Sequence, residues 1–588
     1  TNTRTTSRLF GDVYAELKIT KDLTFKTNFG IDIANVRNYN YGSSKQTTAT
    51  GSGNGGNGYI KELSRITENI LTYTKNWDEH RFSATGVYSW QDYVYENLSI
   101  SGKGFQNDET GAWDMGLADR ETMSYASGKY GNTLISFTGR FTYAYKDRYL
   151  MTATARYDGS SRFGTNNKWG FFPSVGLGWR ISEETFLANN KVITNLKLRG
   201  SYGITGNQEI GNYKSLAQLK SKNYIYNDAL MQGFYETIGN PDLKWERTKQ
   251  FDLGFDLSLW NRIHLNVDYY SRRTSDLLYD VPIPSTSGFS TMLSNIGIVS
   301  NKGVEIALSG RIVETKDFKL DATVNISKNK NEIKELYNDV ESITVTSGLG
   351  LSKYLKVGES LLSIYGLKSE GIIKTEEQLA AYQKIVPTAQ LGDEMYADID
   401  DDKAITAKDQ INIGETEPNF FYGVALNLEY KKFHLDILGQ GAHDFAAVGA
   451  SNSDMKIGIH GYGDSFNYLL VGENQTDNRC CLPSKYAYER MWSPSNPNGT
   501  FPRAGASNLY LSDRSNSGWN YFIIKSIALS YDFGNNPIKG IKGIKGISAF
   551  VNLQNFITFA NHRGYNPENG DTSNPWIKTI TIGVNAKF

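Results

Sequence analysis

The sequence has few of the residues on which catalytic, metal-binding and disulfide-bonded proteins depend. It contains two cysteines and six histidines in 588 residues. Cys480 and Cys481 are adjacent, so they can form only a strained vicinal bridge or remain thiols, and no CxxC spacing indicates a redox site. The histidines are scattered, and neither HExxH nor GxSxG occurs. We therefore expect no enzyme.

Charge and hydropathy exclude two further classes of protein. The chain has 62 Lys and Arg residues against 62 Asp and Glu residues, and no charge block indicates a polyanion partner, so we expect no nucleic-acid binding. No run of about 18 apolar residues predicts a transmembrane helix. Strands of an outer-membrane barrel escape that test, because lipid-facing and lumen-facing residues alternate along them.

Aromatic residues and glycine, by contrast, are abundant. There are 37 Tyr, 28 Phe and 57 Gly residues, although aliphatic and aromatic residues together make up a low 39%. Strand-rich chains with long loops have this composition. The chain is also far longer than a domain of roughly 150 residues, so it forms either several domains or one very large sheet.

The final stretch, residues 576–588, shows the strand pattern clearly. Every second residue except Lys578 is apolar and those between are mainly polar, which predicts a strand with one apolar face. A soluble half-buried sheet gives the same alternation, but an aromatic final residue is typical of the closing strand of an outer-membrane barrel. The apolar face consists of Trp576, Ile580, Ile582, Val584, Ala586 and Phe588.

Segments with this alternation occur in pairs along the whole chain. The clearest pair is 251–259 and 263–270, on either side of a short turn. We predict about seventeen strands, in which short turns alternate with long connections and one face is charged, as in a barrel with a water-filled lumen. The long connections are predicted at 34–59, 96–132, 206–244, 275–301, 331–419, 441–518 and 558–575. The glycine-rich residues 51–58 are interpreted as a flexible loop tip.

The predicted fold class is therefore all-β, a large antiparallel transmembrane β-barrel of the outer membrane. Its long loops are extracellular and its short turns periplasmic. Bacterial barrels close with an even number of strands, and an open sheet exposes two long edges. An odd count of about seventeen thus predicts further strands before Thr1, where the sequence also shows neither an initiator Met nor a signal peptide.

A series of motifs resembles the SusC/RagA family of TonB-dependent outer-membrane transporters. The series spans essentially the whole chain, and its order is far more specific than any single motif. The motifs are YDGSSRFG at 157–164, KWGFFPSVGLGWRISEE at 168–184, LKLRGSYGITGNQEIGNY at 196–213, GNPDLKWERT at 239–248, NIGIVSNKGVEIAL at 295–308 and GDEMYADIDDDKAITAKDQINIGETEPNFFYG at 392–423.

The resemblance implies a barrel of about 22 strands with a plugged lumen, in the outer membrane of a Gram-negative bacterium. Members import oligosaccharides or oligopeptides beneath a SusD-like surface lipoprotein, with energy from TonB, and a dimer of SusC–SusD pairs is one arrangement. The plug, the TonB-contacting segment and the first strands of that pattern are not found in the sequence. Residues 1–588 therefore correspond to the barrel portion.

Two alternative functions stay open. The chain can belong to a TonB-dependent receptor for a siderophore or cobalamin, although the motif series argues against it. It can also be a surface adhesin or glycan-binding β protein that does not transport. In each membrane-bound case the apolar strand faces contact lipid.

One acidic loop, DIDDDKAITAKD at 398–409, resembles a calcium-binding loop. Such a loop has ligands at positions one, three, five, seven and twelve. In this sequence those positions hold Asp398, Asp400, Asp402, the Ala404 carbonyl and Asp409. These hard oxygen ligands can wrap one Ca²⁺ or Mg²⁺ ion. Lys403 replaces the glycine of position six, so a solvated acidic loop without metal is the alternative.

Aromatic residues of the long connections are the candidates for ligand contact, because they stack on sugar rings or anchor peptides. They can equally pack the loops together or contact a lipoprotein, since Tyr and Trp are favoured at interfaces. The set comprises Trp113, Tyr224, Tyr226, Tyr235, Tyr279, Tyr462, Trp492 and Phe501.

Overall fold

A computed structural model gives the fold of the chain. It describes residues 2–45, 53–105, 107–226, 229–289, 291–337, 340–346, 353–445, 489–503, 506, 510–513, 519–535, 545–561, 566–568 and 576–587. Within these ranges no helix is long and apolar enough to cross a membrane. Strands make up most of the described residues, as predicted.

The strands are β1 (Asn2–Lys18), β2 (Leu23–Gly42), β3 (Gly53–Trp77), β4 (His80–Phe105), β5 (Ser124–Tyr145), β6 (Tyr149–Ser160), β7 (Trp169–Arg180), β8 (Ile193–Asn207), β9 (Gln218–Tyr226), β10 (Ala229–Thr237), β11 (Glu246–Leu259), β12 (Ile263–Ser275), β13 (Leu278–Pro282), β14 (Thr291–Asn295), β15 (Ile298–Glu314), β16 (Phe318–Glu335), β17 (Ser342–Thr346), β18 (Lys353–Lys356), β19 (Ser363–Leu367), β20 (Ser369–Ile372), β21 (Glu394–Tyr396), β22 (Gln410–Glu415), β23 (Phe420–Tyr430), β24 (Phe433–Phe445), β25 (Trp519–Asn535), β26 (Gly546–Ala560) and β27 (Thr579–Lys587). One α-helix, α1 (Glu376–Tyr382), lies between β20 and β21. Short 3₁₀ helices occur at Gly111–Trp113, Met115–Leu117, Arg120–Thr122, Ile181–Glu183, Ser285–Ser287 and Ala407–Asp409.

Seventeen of these strands belong to one antiparallel sheet, which confirms the predicted strand count and fold class. They are β1–β8, β11, β12, β15, β16 and β23–β27. The other strands pair within the long connections as β9–β10, β13–β14, β17–β18, β19–β22 and β20–β21. Short turns alternate with long connections, as predicted.

The chain divides into two compact units. Unit 1 comprises Thr1–Glu183, Arg199–Phe251 and Thr274–Ile296, and unit 2 comprises Glu184–Leu198, Asp252–Arg273 and Gly297–Phe588. Each unit contains a part of the large sheet and its own connections.

In unit 1, β1 to β7 pair consecutively, and residues directly opposite each other share one face of the sheet. Leu17 lies opposite Phe25 and Phe25 opposite Leu71, so the alternating apolar residues form continuous rows. Their side chains are exposed or half-buried; Val13, for example, is 74% exposed. This apolar face of unit 1 includes Leu9, Val13, Leu17, Phe25, Phe29, Ile33, Leu63, Leu71, Trp90, Phe137, Phe141, Tyr157, Phe171 and Leu177.

The other face of unit 1 carries polar and charged side chains that bond across strands. Arg8 donates from Nε to Asp32 Oδ1 over 2.8 Å. Arg156 donates from Nε to Asp158 and from Nη2 to Ser136 Oγ. We call this the polar face of unit 1; its composition fits the predicted water-filled lumen.

Unit 2 repeats the arrangement from β15 to β27. One apolar row passes through directly opposed residues of successive strands: Ala322, Leu426, Ile437, Ile527, Leu553 and Ile580. Because this row continues from β16 to β27, the period-2 pattern in the sequence corresponds to one uninterrupted apolar surface within the unit.

The predicted closing strand forms, but it begins later than expected. β27 starts at Thr579, and its Ile580, Ile582 and Val584 lie opposite Leu553, Val551 and Ala549 of β26. Trp576 does not join this row. It lies before the strand and packs against the buried cluster of Ala442, Phe445, Tyr521 and Ile523. Phe588 lies outside the described residues.

The glycine-rich tract is a strand where the sequence predicts a loop tip. Within it, β3 starts at Gly53, and Gly55 pairs with Tyr41 of β2. A Cβ atom at Gly55 would lie 2.8 Å from Ala112 Cβ, so glycine lets the connection after β4 pack directly on the strand. β2 and β4 likewise extend into the predicted connections 34–59 and 96–132. Both faces carry polar residues there, so the alternation that indicates a strand is absent from the sequence.

Candidate ligand-binding pocket on the polar face

A pocket of about 860 Å³ lies on the polar face of unit 1. This volume is within the range of roughly 300–1,000 Å³ that small-molecule sites occupy. Three parts of the chain form it: the middle of β4 with the first half of β5, the connection after β6, and the connection after β8. Its main lining residues are Gln91, Tyr93, Tyr130, Asn132, Arg162, Gln208, Asn212 and Tyr213.

The strand pairing places the aromatic part of the pocket. Tyr93 lies opposite Asn132, and Tyr95 lies opposite Tyr130, so all four side chains project from one face. The Tyr95 and Tyr130 rings stack with centroids 4.6 Å apart and an interplanar angle of 14°. The Tyr93 centroid lies 6.5 Å from that of Tyr130. The result is a wall of aromatic rings beside polar groups.

The connection after β8 is attached to this wall by two polar contacts. The Gly131 N–H donates to Tyr213 Oη over 3.1 Å. Arg162 Nη1 donates to the Gln208 carbonyl over 3.0 Å and lies 3.7 Å from a Glu209 carboxylate oxygen. Tyr213 adopts a φ of +63°, which turns the chain at the end of the pocket.

A hydrophobic cluster supports the pocket from below. Ile210, in the middle of the connection, packs with Phe163, Phe172, Leu243 and Trp245, all of which are buried. Trp245 Nε1 also donates to the Lys168 carbonyl over 3.0 Å. Arg162 immediately precedes the buried Phe163, and its own side chain at the pocket wall is only 17% exposed.

Four polar atoms of the lining are buried and have no hydrogen-bond partner among the described residues. They are Asn132 Nδ2, Arg162 Nε, Gln208 Oε1 and Asn212 Oδ1. An unsatisfied buried polar group costs about 1–3 kcal/mol. Two donors and two acceptors beside tyrosine rings suit a ligand with hydroxyl or amide groups, which both glycans and peptides carry.

Trp113 lies away from this pocket. It stacks on Tyr39 with centroids 4.5 Å apart, and the Arg37 guanidinium lies 4.3 Å from its ring centroid. Tyr39 and Arg37 belong to the apolar face of unit 1, because β2 residues of this parity pair in the same rows as Ile33. The sequence-based set is therefore not one cluster in the structure.

The other predicted aromatics of unit 1 lie in the small hairpins. Tyr224 and Tyr226 belong to β9 and Tyr235 to β10, which pair with each other, and only the backbone of these residues is described. Tyr279 is half-buried in the β13–β14 hairpin. Tyr462 lies outside the described residues. Ligand contact by these residues stays a prediction.

In unit 2, Phe501 and Trp492 pack loops together, which is the alternative role considered for them. Phe501 is only 4% exposed. Trp492 lies against Gly392, and the Trp492 backbone N–H donates to the Phe501 carbonyl over 2.9 Å. Arg503 Nε donates to the buried Asp393 over 2.7 Å, which joins the segment 489–503 to the connection between β16 and β23.

The acidic loop brings three of its predicted ligands together. Asp398, Asp400 and Asp409 each offer a carboxylate oxygen within 4.8 Å of the others. Lys403 adopts a φ of +60°, so it supplies the left-handed turn for which a calcium loop uses glycine. Geometry at positions one, three and twelve thus fits a divalent cation.

Other groups of the loop compete for the same oxygens. Asp409 accepts backbone N–H bonds from Ile399 and Thr406 over 2.7 Å each. Lys408 Nζ lies 3.5 Å from Asp400 and 3.6 Å from Asp402, where its positive charge neutralises the carboxylates in place of a metal ion. Asp402 Oδ1 accepts from the Ala404 N–H, which lies at position seven. Metal binding here stays a prediction.

The pocket residues on the polar face were not predicted from the sequence. Tyr130 and Asn132 lie in the predicted long connection 96–132, Tyr93 lies just before it, and Arg162 and Gln208 lie inside motifs used only for the resemblance. The signal that could have found them is the recurrence of polar and aromatic residues in those motifs. Only the pairing of β4 with β5 shows that they converge.

Comparison with known proteins gives the family. Residues 1–354 match the family described as TonB dependent receptor-like, beta-barrel. The chain is 31% identical to TonB-dependent receptor P3 of Formosa agariphila, covering 98% of this chain and 57% of that protein. It is 28% identical to TonB-dependent receptor SusC of Bacteroides thetaiotaomicron, covering 93% of this chain and 53% of that protein.

The fold also matches solved structures. The structure of the RagAB peptide transporter aligns over 100% of this chain and 62% of that chain, with a TM-score of 0.83 and 24% identity. The chain spans 53–60% of the length of the curated relatives it matches. These matches confirm the resemblance found in the motifs, and a family of receptors agrees with the expectation that the chain is no enzyme. The chain belongs to the TonB-dependent receptor β-barrel family, whose members lie in the outer membrane of Gram-negative bacteria.

Proposed function

We propose that this chain is the barrel portion of a SusC-type outer-membrane importer that takes up oligosaccharides or oligopeptides. The observation that carries the proposal is the pocket on the polar face of unit 1, which faces the lumen of a barrel. It offers unpaired Asn132, Arg162, Gln208 and Asn212 atoms next to Tyr93 and Tyr130. Leaving these atoms without partners costs free energy in the empty pocket. A ligand that forms hydrogen bonds with them removes that cost, which contributes to its affinity.

The pocket suits an extended polar ligand better than a compact apolar one. Its stacked tyrosines provide flat surfaces for sugar rings or peptide side chains, and its donors and acceptors lie along the connection after β8. Oligosaccharides and oligopeptides both use these interactions, so the mass spectrometry described below distinguishes the two substrate classes.

The partners proposed for the whole protein are a SusD-like surface lipoprotein and TonB. The lipoprotein would retain ligand above the pocket, and TonB would supply the energy of import. A dimer of such pairs is the proposed assembly. Similarity to SusC and to the RagAB transporter fold supports these proposals.

Native mass spectrometry of the complete protein, extracted in detergent without an affinity tag, tests the proposal. We expect a stoichiometric lipoprotein and a released ligand, either an oligosaccharide series or a ladder of short peptides. The variant Asn212→Leu should retain the lipoprotein but lose most of the ligand, whereas Lys214→Ala, at an exposed neighbouring position, should behave as wild type. A complex with neither lipoprotein nor organic ligand would contradict the proposal.

The two alternatives give different results in the same preparation. A siderophore or cobalamin receptor would release an iron chelate or a corrinoid and carry no lipoprotein. An adhesin would bind glycan, but a strain lacking the protein would still import that glycan at the wild-type rate. A closed barrel should also show heat-modifiable electrophoretic migration.

For the acidic loop we propose Ca²⁺ as the occupant, held by Asp398, Asp400 and Asp409. The support is the convergence of their oxygens within 4.8 Å. Such an ion would stiffen the connection between β16 and β23 rather than take part in chemistry.

A further inference from the structure

The unpaired polar atoms of the pocket on the polar face of unit 1 are balanced between donors and acceptors. Asn132 Nδ2 and Arg162 Nε are donors, and Gln208 Oε1 and Asn212 Oδ1 are acceptors. All four are buried and have no hydrogen-bond partner within the part of the chain that the structure describes. A ligand must therefore both accept and donate hydrogen bonds to satisfy the whole set.

Charged groups do not meet this requirement. An ionised carboxylate only accepts hydrogen bonds, so it would leave the Gln208 and Asn212 oxygens without a donor. An ammonium or guanidinium group only donates, so it would leave the Asn132 and Arg162 donors without an acceptor. A hydroxyl group or an amide carries both functions. The four atoms thus favour an uncharged polar ligand.

The positive charge of Arg162 does not turn the pocket into a site for anions. Arg162 Nη1 lies 3.7 Å from a Glu209 carboxylate oxygen, and both residues line the pocket. Nη1 also donates to the Gln208 carbonyl over 3.0 Å. The Glu209 side chain is 81% exposed. An anion that approaches the guanidinium therefore meets an exposed carboxylate that already compensates its charge.

The other charges beside the pocket do not favour an anion either. Lys129 also belongs to the lining, and its Nζ lies 2.7 Å from a Glu96 carboxylate oxygen. Glu62 of β3 lies directly opposite Tyr95, whose ring stacks on Tyr130. The Glu62 side chain therefore projects from the same face as the tyrosine wall. The lining and these neighbours together hold two cations and three carboxylates.

Recognition through a strand edge is excluded at the tyrosine wall. Tyr93 pairs with Ser64 of β3 on one side and with Asn132 of β5 on the other. A strand that is paired on both sides has no free backbone edge to which an extended peptide could add. A ligand therefore meets side-chain atoms here, and their balance of donors and acceptors decides which ligand fits.

We propose that the pocket selects an uncharged segment of the imported oligomer, and that Glu209 determines this specificity by compensating the charge of Arg162. The hydroxyl groups of a neutral sugar or the amides of an uncharged peptide segment bond to the four unpaired atoms. The rings of Tyr93 and Tyr130 contact the flat parts of the same segment. This inference rests on the proposed function, because it concerns the pocket assigned there to the imported ligand.

Isothermal titration calorimetry of the complete protein with matched pairs of ligands tests the proposal. One pair is a mannose hexasaccharide and the mannuronate hexasaccharide with the same linkages. The other is a capped peptide of Gly, Ser and Asn and its counterpart with Asp in place of Asn. The detergent carries no sugar headgroup, so it does not compete. In the pair that binds, the uncharged member should bind about tenfold more tightly, since a carboxylate leaves buried acceptors unsatisfied.

Glu209→Gln should reduce the discrimination between the members of a pair. The substitution removes the carboxylate beside Arg162, so the ratio of uncharged to anionic affinity should fall about threefold to fivefold. Glu121→Gln is the matched control, because Glu121 is an exposed glutamate of the connection between β4 and β5. Its affinity ratio should equal that of wild type. Both variants should show normal heat-modifiable migration.

Equal or tighter binding of the anionic member by wild type would overturn this inference and leave the proposed import function intact. An unchanged affinity ratio in Glu209→Gln would overturn the role of Glu209. If no pair binds, the charge of the ligand released in native mass spectrometry decides: an uncharged ligand supports the inference and an anionic one overturns it. Absence of any bound or released ligand would contradict the proposed function as well.

Discussion

Tyr95 and Tyr130 lie opposite each other on adjacent strands, and their rings stack almost in parallel over 4.6 Å on the polar face of unit 1. The pair is one wall of a pocket whose opposite side comes from residues about eighty positions later in the chain. Tyr213 connects the two sides, because its hydroxyl accepts the Gly131 N–H. Strand pairing therefore creates a pocket that no local segment contains.

Replacing Tyr130 by alanine should lower the affinity for the co-purifying ligand about tenfold. The substitution removes both the stack with Tyr95 and the surface offered to ligand, and aromatic pairs contribute roughly 0.5–1.5 kcal/mol beyond area burial. Tyr130→Phe should stay within about twofold of wild type, since the ring remains. Isothermal titration calorimetry of the complete protein measures both. An unchanged affinity in Tyr130→Ala would remove this wall from the site.

Replacing Arg162 by lysine should loosen the connection after β8 although the charge is kept. A lysine lacks the second nitrogen that lets Arg162 hold the Gln208 carbonyl while its Nε faces the pocket. We expect faster proteolysis within 208–217 and weaker ligand binding. Lys214→Ala is the control, because Lys214 is exposed in the same connection. Identical digestion of all three proteins would contradict the role of Arg162.

Alanine at Gly164 should destabilise unit 1 by about 1–3 kcal/mol, the usual range for forcing extra atoms into a packed site. A Cβ atom there would overlap the Pro241 carbonyl, which is backbone and cannot turn aside. Gly139→Ala is the matched control, because a Cβ atom at that position meets nothing within 4 Å. The temperature at which heat-modifiable migration is lost should fall for the first variant only.

Replacing Lys408 by alanine should increase the affinity of the acidic loop for Ca²⁺. The change removes the positive charge 3.5 Å from Asp400 and 3.6 Å from Asp402. Asp398→Asn should abolish binding in the same assay, equilibrium dialysis with radioactive calcium. If wild type and both variants take up equal, background amounts of calcium, the loop is the solvated alternative.

The loops around Tyr382 should lose stability above pH 10. Burial raises the pKa of Tyr382 from 10.0 to about 12, and its hydroxyl accepts the Tyr396 N–H over 3.0 Å. A raised pKa means that the folded form favours the neutral phenol. Its stabilising contribution is complete below pH 10 and is lost as the pH rises towards 12. Protease sensitivity of 376–396 should increase across this window, and less so in Tyr382→Phe, which cannot ionise.

Burial also raises the pKa of Tyr396, so it contributes in the same direction. Tyr337→Phe is a suitable control, because Tyr337 is 42% exposed. A sensitivity that rises at the same pH in Tyr382→Phe and wild type would show that another group controls the opening.

Much of the fold could be predicted because the pattern that favours a strand lies within a few consecutive residues. Alternation of apolar and polar residues has a period of two, and the row through Leu426, Ile437, Ile527 and Leu553 is the direct result of that period. The prediction was wrong where the period is absent. Gly55 is in a strand because neighbouring Tyr41 and Ala112 pack over it, and a glycine tract alone indicates a loop.

The ends of strands show the same limit. Ile580 was predicted correctly on the apolar face of the last strand, but Trp576 left it for a cluster with Tyr521 and Ile523. Burial of the large Trp576 ring against a strand distant in sequence is more favourable than extension of the last strand by further alternating residues. Phe501 illustrates this in the loops, where its aromatic character is equally compatible with ligand contact and with the packing observed.

The sequence by itself determined the class of protein: a large antiparallel sheet with an apolar and a polar face, alternating short and long connections, and the family to which its motifs belong. Those properties depend on neighbours within a few residues. Only the tertiary structure decided that Tyr93, Arg162 and Asn212 share a pocket and that Trp113 lies on the opposite face. Sites of this kind depend on register between strands and on how connections fold back over them, and both follow from contacts between residues far apart in the chain.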